Sequence, residues 1–276
     1  MRGVLQLLSP HPNPLPEGEG KQQCALFDGR ITMFPDFNAA QLVAIGLIFV
    51  WAGFVRSGLG FGGAALGLPL MLFIDNRPLF WLPIIGAHLL FFSSLTLTTR
   101  LGSVDWAYLR RASVWIMPSA LVGVFGLLNL PNQWLLVFVY TVTIVYAFIW
   151  LMNWAILSKS LWADRLFLVL GGYVAGTSLT GAPLMVAVFM RNVVQNKLRN
   201  TLFVLWFVLV AIKMTTFVLV GVEMNYLAAL LLLPAGALGH VAGLRVHEYI
   251  LHHDRRFKQV MGGFLLVVSA IGLWML

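Results

Sequence analysis

Two short segments of this chain interrupt apolar sequence with glycines and end in the same Pro-Leu-Met tripeptide. The first runs from Ser57 to Met71 (SGLGFGGAALGLPLM) and the second from Gly176 to Met185 (GTSLTGAPLM). Paired segments of this kind, in corresponding positions of two halves, are typical of transporter sites built from discontinuous membrane helices. The pattern predicts that the chain moves a small solute.

The chemistry of the two breaks favours an anion. Helices that resume near Ala64 and Ala182 would direct free N–H groups and positive dipole ends at the gap, and the glycines would let a ligand approach the backbone. The second break adds the hydroxyls of Thr177, Ser178 and Thr180. An alternative stays open, in which the glycines serve helix packing and the hydroxyls bond to their own helices.

Two cations within apolar sequence are a second indication of an anion site. Arg56 directly precedes the first break, and Lys213 lies inside an apolar span, where an unpaired cation costs about 3 kcal/mol or more. The predicted crossing spans contain no Asp or Glu to neutralise them. The alternative is that Arg56 snorkels from a helix end and that Lys213 bonds to carbonyls or reaches a surface. The residues predicted to bind the anion are Arg56, Ser57, Gly58, Gly60, Gly62, Gly63, Pro69, Thr177, Ser178, Thr180, Gly181, Pro183 and Lys213.

Two histidines also lie in apolar spans. His88 and His240 are candidates for a proton relay. The competing interpretation is that each joins two membrane helices by a hydrogen bond, which is the commoner role of a polar side chain in this setting.

An enzyme would have to use HEYILHHD at 247–254, the densest group of potential metal ligands. His247 and His252 are five residues apart, whereas a zinc-protease helix places its two histidines four apart. The single Cys24 excludes a cysteine-based cluster within the chain. The sequence therefore predicts no enzyme, no metal and no cofactor, and it assigns HEYILHHD to a solvated cytoplasmic loop.

Composition places the chain in a lipid bilayer. Hydrophobic residues make up 60% of the 276 residues, charged residues only 10%, and the mean hydropathy is +0.88, so we expect an integral membrane protein. The net charge of +8 does not indicate nucleic-acid binding, because the basic residues lie between apolar spans. Residues 1–37 are predicted to be a disordered extension, since HPNPLPEGEG is polar and rich in proline.

Apolar spans follow this extension, and six of them are long enough to cross a bilayer as helices. The spans are 39–56, 64–75, 79–99, 107–128, 133–157, 165–176, 182–190, 198–220, 225–244 and 257–276. The two pairs that flank the breaks, 39–56 with 64–75 and 165–176 with 182–190, are the ambiguous elements.

An internal repeat relates the two halves. In each half a proline of the break is followed about 50 residues later by a second proline, and then by a glycine at the same short distance. These residues are Pro69, Pro118 and Gly123 in the first half and Pro183, Pro234 and Gly239 in the second. The sequence predicts an all-α polytopic fold of two repeats, 38–157 and 158–276, each with a broken element and three transmembrane helices.

The distribution of basic residues predicts how the broken elements lie. If each broken element crosses once, the loop cations divide almost evenly between the two sides. If each is a re-entrant hairpin, only Arg30 and Arg77 lie outside, and the positive-inside rule is obeyed. The cations then assigned to the cytoplasm are Arg100, Arg110, Arg111, Lys159, Arg165, Arg191, Lys197, Arg199, Arg245, Arg255, Arg256 and Lys258. This arrangement makes the repeats inverted, places both termini outside and lets the two tips meet near the midplane.

The two breaks, the segment RNVVQNKLRNT at 191–201 and the two-half layout together resemble the sulfite exporter TauE/SafE family of bacterial membrane proteins over about residues 40–276. The resemblance implies a multi-pass inner-membrane transporter that exports sulfite or an organosulfonate such as sulfoacetate by alternating access. Arg56 and the glycine-poor second break depart from the pattern of that family. The alternative is a non-transporting membrane assembly or sensor protein, and a homo-oligomer is compatible with either.

Overall fold

The computed structural model describes residues 37–276 apart from 60–62, 99, 155, 157, 159 and 253. Within these residues the chain forms ten α-helices and no strand, so the predicted all-α class is confirmed. The helices are α1 (Ala39–Leu59), α2 (Gly63–Ile74), α3 (Pro78–Leu97), α4 (Trp106–Asn129), α5 (Asn132–Leu151), α6 (Leu161–Ser178), α7 (Ala182–Asn192), α8 (Gln195–Val220), α9 (Tyr226–His252) and α10 (Asp254–Trp274). The predicted disordered extension lies outside the described residues, except for Phe37.

Seven of the described helices are long and apolar enough to cross a membrane: α1, α3, α4, α5, α8, α9 and α10. Many of their large apolar side chains are exposed, among them Val114, Phe125 and Leu219, as expected for helices whose outer faces contact lipid. The chain is therefore a polytopic membrane protein. Helix α1 joins the six predicted crossing helices because its 21 residues extend about 31 Å.

Some helix boundaries differ from the predicted spans. Helix α6 begins at Leu161, before the predicted apolar span, because the Ser160 side chain caps it by accepting from the Ala163 N–H. Helix α9 runs to His252, so the backbone of 247–252 is helical and the predicted loop is wrong there. No glycine or proline follows Gly243 before the end of α9, so nothing in the sequence stops the helix earlier.

Both breaks turn the chain back on itself. A Cβ at Gly63 would lie 2.7 Å from the Ala52 carbonyl oxygen and 2.8 Å from the Arg56 Cβ, so α2 starts against the last turns of α1. In the second half, α6 ends at Leu179, which has a left-handed backbone (φ 62°), and a Cβ at Gly181 would overlap the Gly171 carbonyl oxygen. The pairs α1–α2 and α6–α7 are therefore helical hairpins.

The two hairpins enter from opposite ends of the molecule. At one end, the Phe37 ring before α1 lies 6.0 Å from the Trp81 ring in the first turn of α3. At the other end, Arg191 at the close of α7 pairs with Asp164 near the start of α6 at 3.2 Å. Helix α3 ends, and α8 begins, at that second end, which we call the basic end because Arg100 and Arg191 lie there. The end where α3 begins is called the opposite end.

The same helix contact occurs in both halves. A Cβ at Gly239 in α9 would overlap the Val50 carbonyl oxygen in α1, and a Cβ at Gly123 in α4 would overlap the Tyr173 carbonyl oxygen in α6. Gly123 and Gly239 are the two glycines that the internal repeat aligned. Each hairpin therefore packs its first helix against the second long helix of the other half, as expected from duplication of one unit.

Candidate functional site

The two hairpin tips face a common cavity of about 50 Å³. Gly63 and Ala64 at the start of α2 line it from the first hairpin, and Leu179 and Ala182 line it from the second. No side chain caps α7, so N–H groups in its first turn have no side-chain partner. The predicted starts of both helices are thus confirmed to within one residue, and both N-termini open on one space. The remaining lining residues are Arg56, Leu89, Ser93, Ala175, Phe203, Trp206, Leu209 and Val210.

A larger cavity of about 250 Å³ lies between this space and the basic end. Its polar lining comes from three arginines, one histidine and two serines, and no lining side chain is a carboxylate. These residues are Arg56, Arg100, Arg199, His240, Ser57 and Ser93. Because the walls of such a cavity have a low dielectric constant, the positive potential of its arginines is concentrated inside it and attracts small anions. We call it the arginine cavity, and we call the smaller space the tip cavity.

Arg56 lines both cavities. Its residue is only 8% exposed, its Nη1 donates to the His88 carbonyl oxygen at 3.5 Å, and its Cζ lies 4.3 Å from the centre of the Phe92 ring. Its Nη2 is buried and has no hydrogen-bond partner. A buried guanidinium N–H without an acceptor is costly, so Arg56 offers a donor that an oxyanion would satisfy.

The two candidate relay histidines differ in their surroundings. His240 lines the arginine cavity, and its Nδ1 lies 2.5 Å from the Ser57 hydroxyl oxygen. His88 is buried, and its Nε2 lies 2.7 Å from the Ala229 carbonyl oxygen. Because a carbonyl only accepts, His88 donates from Nε2 and joins α3 to α9, which matches the packing alternative.

The hydroxyls of the second break are occupied by protein acceptors. Thr177 donates to the Tyr173 carbonyl oxygen at 2.9 Å, and Ser178 donates to the Val174 carbonyl oxygen at 3.1 Å. The Thr180 hydroxyl lies 2.6 Å from the Ser178 hydroxyl. Because Ser178 uses its own hydrogen for the Val174 carbonyl, Thr180 donates to Ser178. This is the arrangement of the alternative in which hydroxyls bond to their own helix.

The other predicted residues fall in different places. Ser57 and Gly63 line the cavities, whereas Gly58 is buried nearby and Pro69 is buried inside α2. A separate small space beside α5 and α10 is lined by Thr180 and Pro183. Gly60 and Gly62 lie outside the described residues. Gly181 is held against its own hairpin by the close approach to Gly171.

Lys213 is buried at 1% exposure and lines neither the arginine cavity nor the tip cavity. Its Nζ has no hydrogen-bond partner and lies 6.0 Å from the centre of the Phe217 ring. In the structure, the Lys213 ammonium does not bond to a carbonyl oxygen, so that alternative is not observed.

Two arginines of the arginine cavity were not selected from the sequence. Arg100 and Arg199 were counted only as loop cations, because their position beside the same cavity as Arg56 depends on the pairing of α3 with α8. One pattern could have indicated Arg199: it precedes Phe203, Trp206 and Val210 at spacings of four, three and four residues, which place all of them on one helix face.

A family model described as Sulfite exporter TauE/SafE matches residues 45–271. The match includes both hairpins and both cavities. No curated protein and no solved structure gives a significant match to this chain.

Proposed function

This chain belongs to the sulfite exporter TauE/SafE family, and from that premise we propose that it exports a small sulfur-containing oxyanion, such as sulfite or an organosulfonate, across the bacterial inner membrane. The observation that carries the proposal is the carboxylate-free arginine cavity that reaches the tips of two oppositely directed hairpins. Hairpin tips that meet between two access routes fit an alternating-access transporter.

Arg56 is proposed as the main ligand of the anion. A guanidinium offers parallel N–H donors to two oxygens of one oxyanion, and Nη2 of Arg56 already lies buried without a partner. Arg100 is exposed and Arg199 is partly buried at the mouth of the same cavity, so they attract the anion from solution. Ser57 and Ser93 supply hydroxyls beside the guanidinium.

The uncapped start of α7 and the start of α2 complete the proposed site. Both lie on the tip cavity, where the positive ends of their dipoles favour negative charge. The tip cavity, at about 50 Å³, has room for a few waters only, and the anion is proposed to pass when the tips separate. The proposed cycle therefore loads the anion at Arg56 and releases it on the far side of the tips.

The membrane potential favours export without a coupling ion. An inside-negative potential favours the exit of each negative charge by about 2.3 kcal/mol per 100 mV. A uniporter is sufficient for this task. His240 and Ser57 remain candidates for a proton pathway because they face the arginine cavity.

The test is flux in proteoliposomes that contain only this protein. We expect radiolabelled sulfite loaded inside to leave faster than from protein-free vesicles, and unlabelled sulfoacetate, taurine or sulfate to compete according to fit. A positive potential on the receiving side should accelerate the efflux. Vesicles that release no substrate faster than protein-free vesicles would contradict the transporter proposal and favour the assembly or sensor alternative.

A further inference from the structure

Lys213 continues a stripe of cavity-lining residues on α8. Arg199, Phe203, Trp206 and Val210 each line one or both cavities, and each follows the previous one by four, three or four residues. Lys213 is three residues beyond Val210, so it lies on the same face of the helix. The face of α8 that lines the two cavities therefore carries a lysine one turn beyond Val210.

Lys213 lies beyond the tip cavity, towards the opposite end of the molecule. Helix α8 starts at the basic end, and Lys213 is about 21 Å past Arg199 at about 1.5 Å per residue. A Cβ at Gly86, in the first half of α3, would overlap the Met214 sulfur. Since α3 begins at the opposite end, this contact places the Lys213 level on that side of the tips.

The packing around Lys213 does not compensate for its charge. Its Nζ has no hydrogen-bond partner and the residue is 1% exposed. The Phe217 ring at 6.0 Å, the outer limit of a cation–π contact, offsets about 2 kcal/mol at this buried position, against about 3 kcal/mol or more for an unpaired cation in a membrane. A methionine or leucine would fill the same volume without that cost. Packing therefore does not explain why position 213 carries a lysine.

We propose that Lys213 is a second anion-binding station, which holds the oxyanion after it has left Arg56 and before it reaches the opposite end. The inference rests on the proposed transport function and adds a position on the path that the two cavities do not include. Lysine suits this step because a hydrated point charge on a flexible stem pairs with an anion briefly and releases it to water. Arg56 binds from the arginine cavity, and Lys213 becomes accessible when the hairpin tips part.

Charge replacement and charge restoration at position 213 test the proposal. In a Cys24→Ala background, Lys213→Cys is purified and alkylated with bromoethylamine, which rebuilds a lysine-like ammonium through a thioether that sulfite does not cleave. Bromoethane gives the neutral counterpart, and mass spectrometry confirms both products. Val210→Cys, on the same face and lining the tip cavity, receives the same two reagents as a matched control.

We expect Lys213→Cys to lower sulfite flux about tenfold, the loss typical for a hydrogen bond to a charged group. The aminoethyl product should regain most of that flux and the ethyl product should not. Equilibrium binding of sulfite in detergent, which reports Arg56, should change less than about twofold. At position 210 neither reagent should raise flux above that of the untreated variant.

Two results would overturn the inference. One is flux through Lys213→Cys equal to the background protein, and the other is equal rescue by the neutral ethyl group. If Lys213→Cys does not insert or does not react, Lys213→Arg against Lys213→Met decides the same question, and equal flux through the two contradicts the proposal. Wild-type protein in the same vesicles distinguishes failure of this inference from failure of the proposed function. If the wild type gives no flux, the proposed transport function itself is contradicted.

Discussion

Arg56 lines both cavities, and its buried Nη2 has no hydrogen-bond partner. We expect Arg56→Gln to raise the half-saturating sulfite concentration about tenfold or more, because a hydrogen bond to a charged group contributes about 1.5–3 kcal/mol. Arg56→Lys should recover little of this loss, since an ammonium lacks the planar pair of donors. Concentration-dependent flux in proteoliposomes measures both variants.

The matched control for Arg56 is Arg111→Gln, which removes an exposed arginine of α4 that lines neither cavity. Its half-saturating concentration should equal that of the wild type. If Arg56→Gln also gives wild-type curves, the anion site has to be built from backbone donors and hydroxyls without Arg56.

Arg100 is expected to attract the anion more weakly than Arg56 and over a longer distance. It is exposed at the mouth of the arginine cavity, where a charge steers an approaching anion and is screened by salt. We expect Arg100→Gln to lower flux at limiting sulfite about two- to threefold at low ionic strength, with the difference vanishing near 0.5 M salt. An equal loss at every ionic strength would mean that Arg100 contacts the anion directly.

Sequence reasoning selected Arg56 as a candidate ligand but not the two arginines that line the same cavity. Arg56 stands next to a visible glycine break, and a charge in an apolar stretch is conspicuous without any structure. Arg199 and Ser93 reach the same cavity only because α3 packs against α8, and such a pairing of distant helices leaves no local trace. The hydroxyls of Thr177 and Ser178 were also selected as ligands, and in the structure they donate to carbonyls one turn back in the same helix.

At the scale of elements, glycines fix how closely the hairpins pack. A Cβ at Gly53 in α1 would overlap the Gly236 carbonyl oxygen in α9, whereas a Cβ at Gly46 in the same helix meets nothing within 4 Å. We expect Gly53→Ala to destabilise the protein by about 1–3 kcal/mol, as overpacked sites do. Gly46→Ala should be neutral or slightly stabilising, because alanine is the better helix former.

Thermal unfolding in detergent distinguishes the two alanine variants. A lower transition temperature for Gly53→Ala alone supports close packing of α1 on α9. Similar curves for both variants would mean that the helices separate easily by the width of a methyl group.

Gly181 belongs to the same class and changes the expectation for the second tip. The sequence placed Gly181 among the anion-binding residues, yet the atoms nearest to a Cβ there are the Gly171 carbonyl oxygen and the Ala175 nitrogen of its own hairpin. We therefore expect Gly181→Leu to lose both flux and thermal stability. Lost flux with unchanged stability would instead support direct blockage of the site.

The elements themselves were largely predictable. Apolar length identifies the crossing helices, and Pro183 at the first turn of α7 marks where that helix begins. The length of α1 was not predicted, because the apolar span was ended at Arg56, before the glycine break, while the helix continues to Leu59. A glycine inside a helix costs only about 1 kcal/mol, so its presence alone does not locate the helix end.

At the scale of the whole molecule, one end carries the cations. Helix directions place Arg100, Arg191 and Arg256 at the basic end and Arg77 at the opposite end. The positive-inside rule predicts that the basic end lies in the cytoplasm. The arginine cavity then opens to the cytoplasm, and the C-terminus lies outside.

Cysteine labelling in intact spheroplasts tests this orientation. In a Cys24→Ala background we expect a membrane-impermeant maleimide to label Met275→Cys at the opposite end, and to label Arg256→Cys only after the membrane is permeabilised. Both positions are exposed, so a difference between them reports sidedness. The orientation decides from which side the arginine cavity loads, whereas the inside-negative potential favours the exit of an anion whichever way the protein faces. Labelling of Arg256→Cys in intact spheroplasts would place the arginine cavity on the outer side and contradict loading of the anion at Arg56 from the cytoplasm.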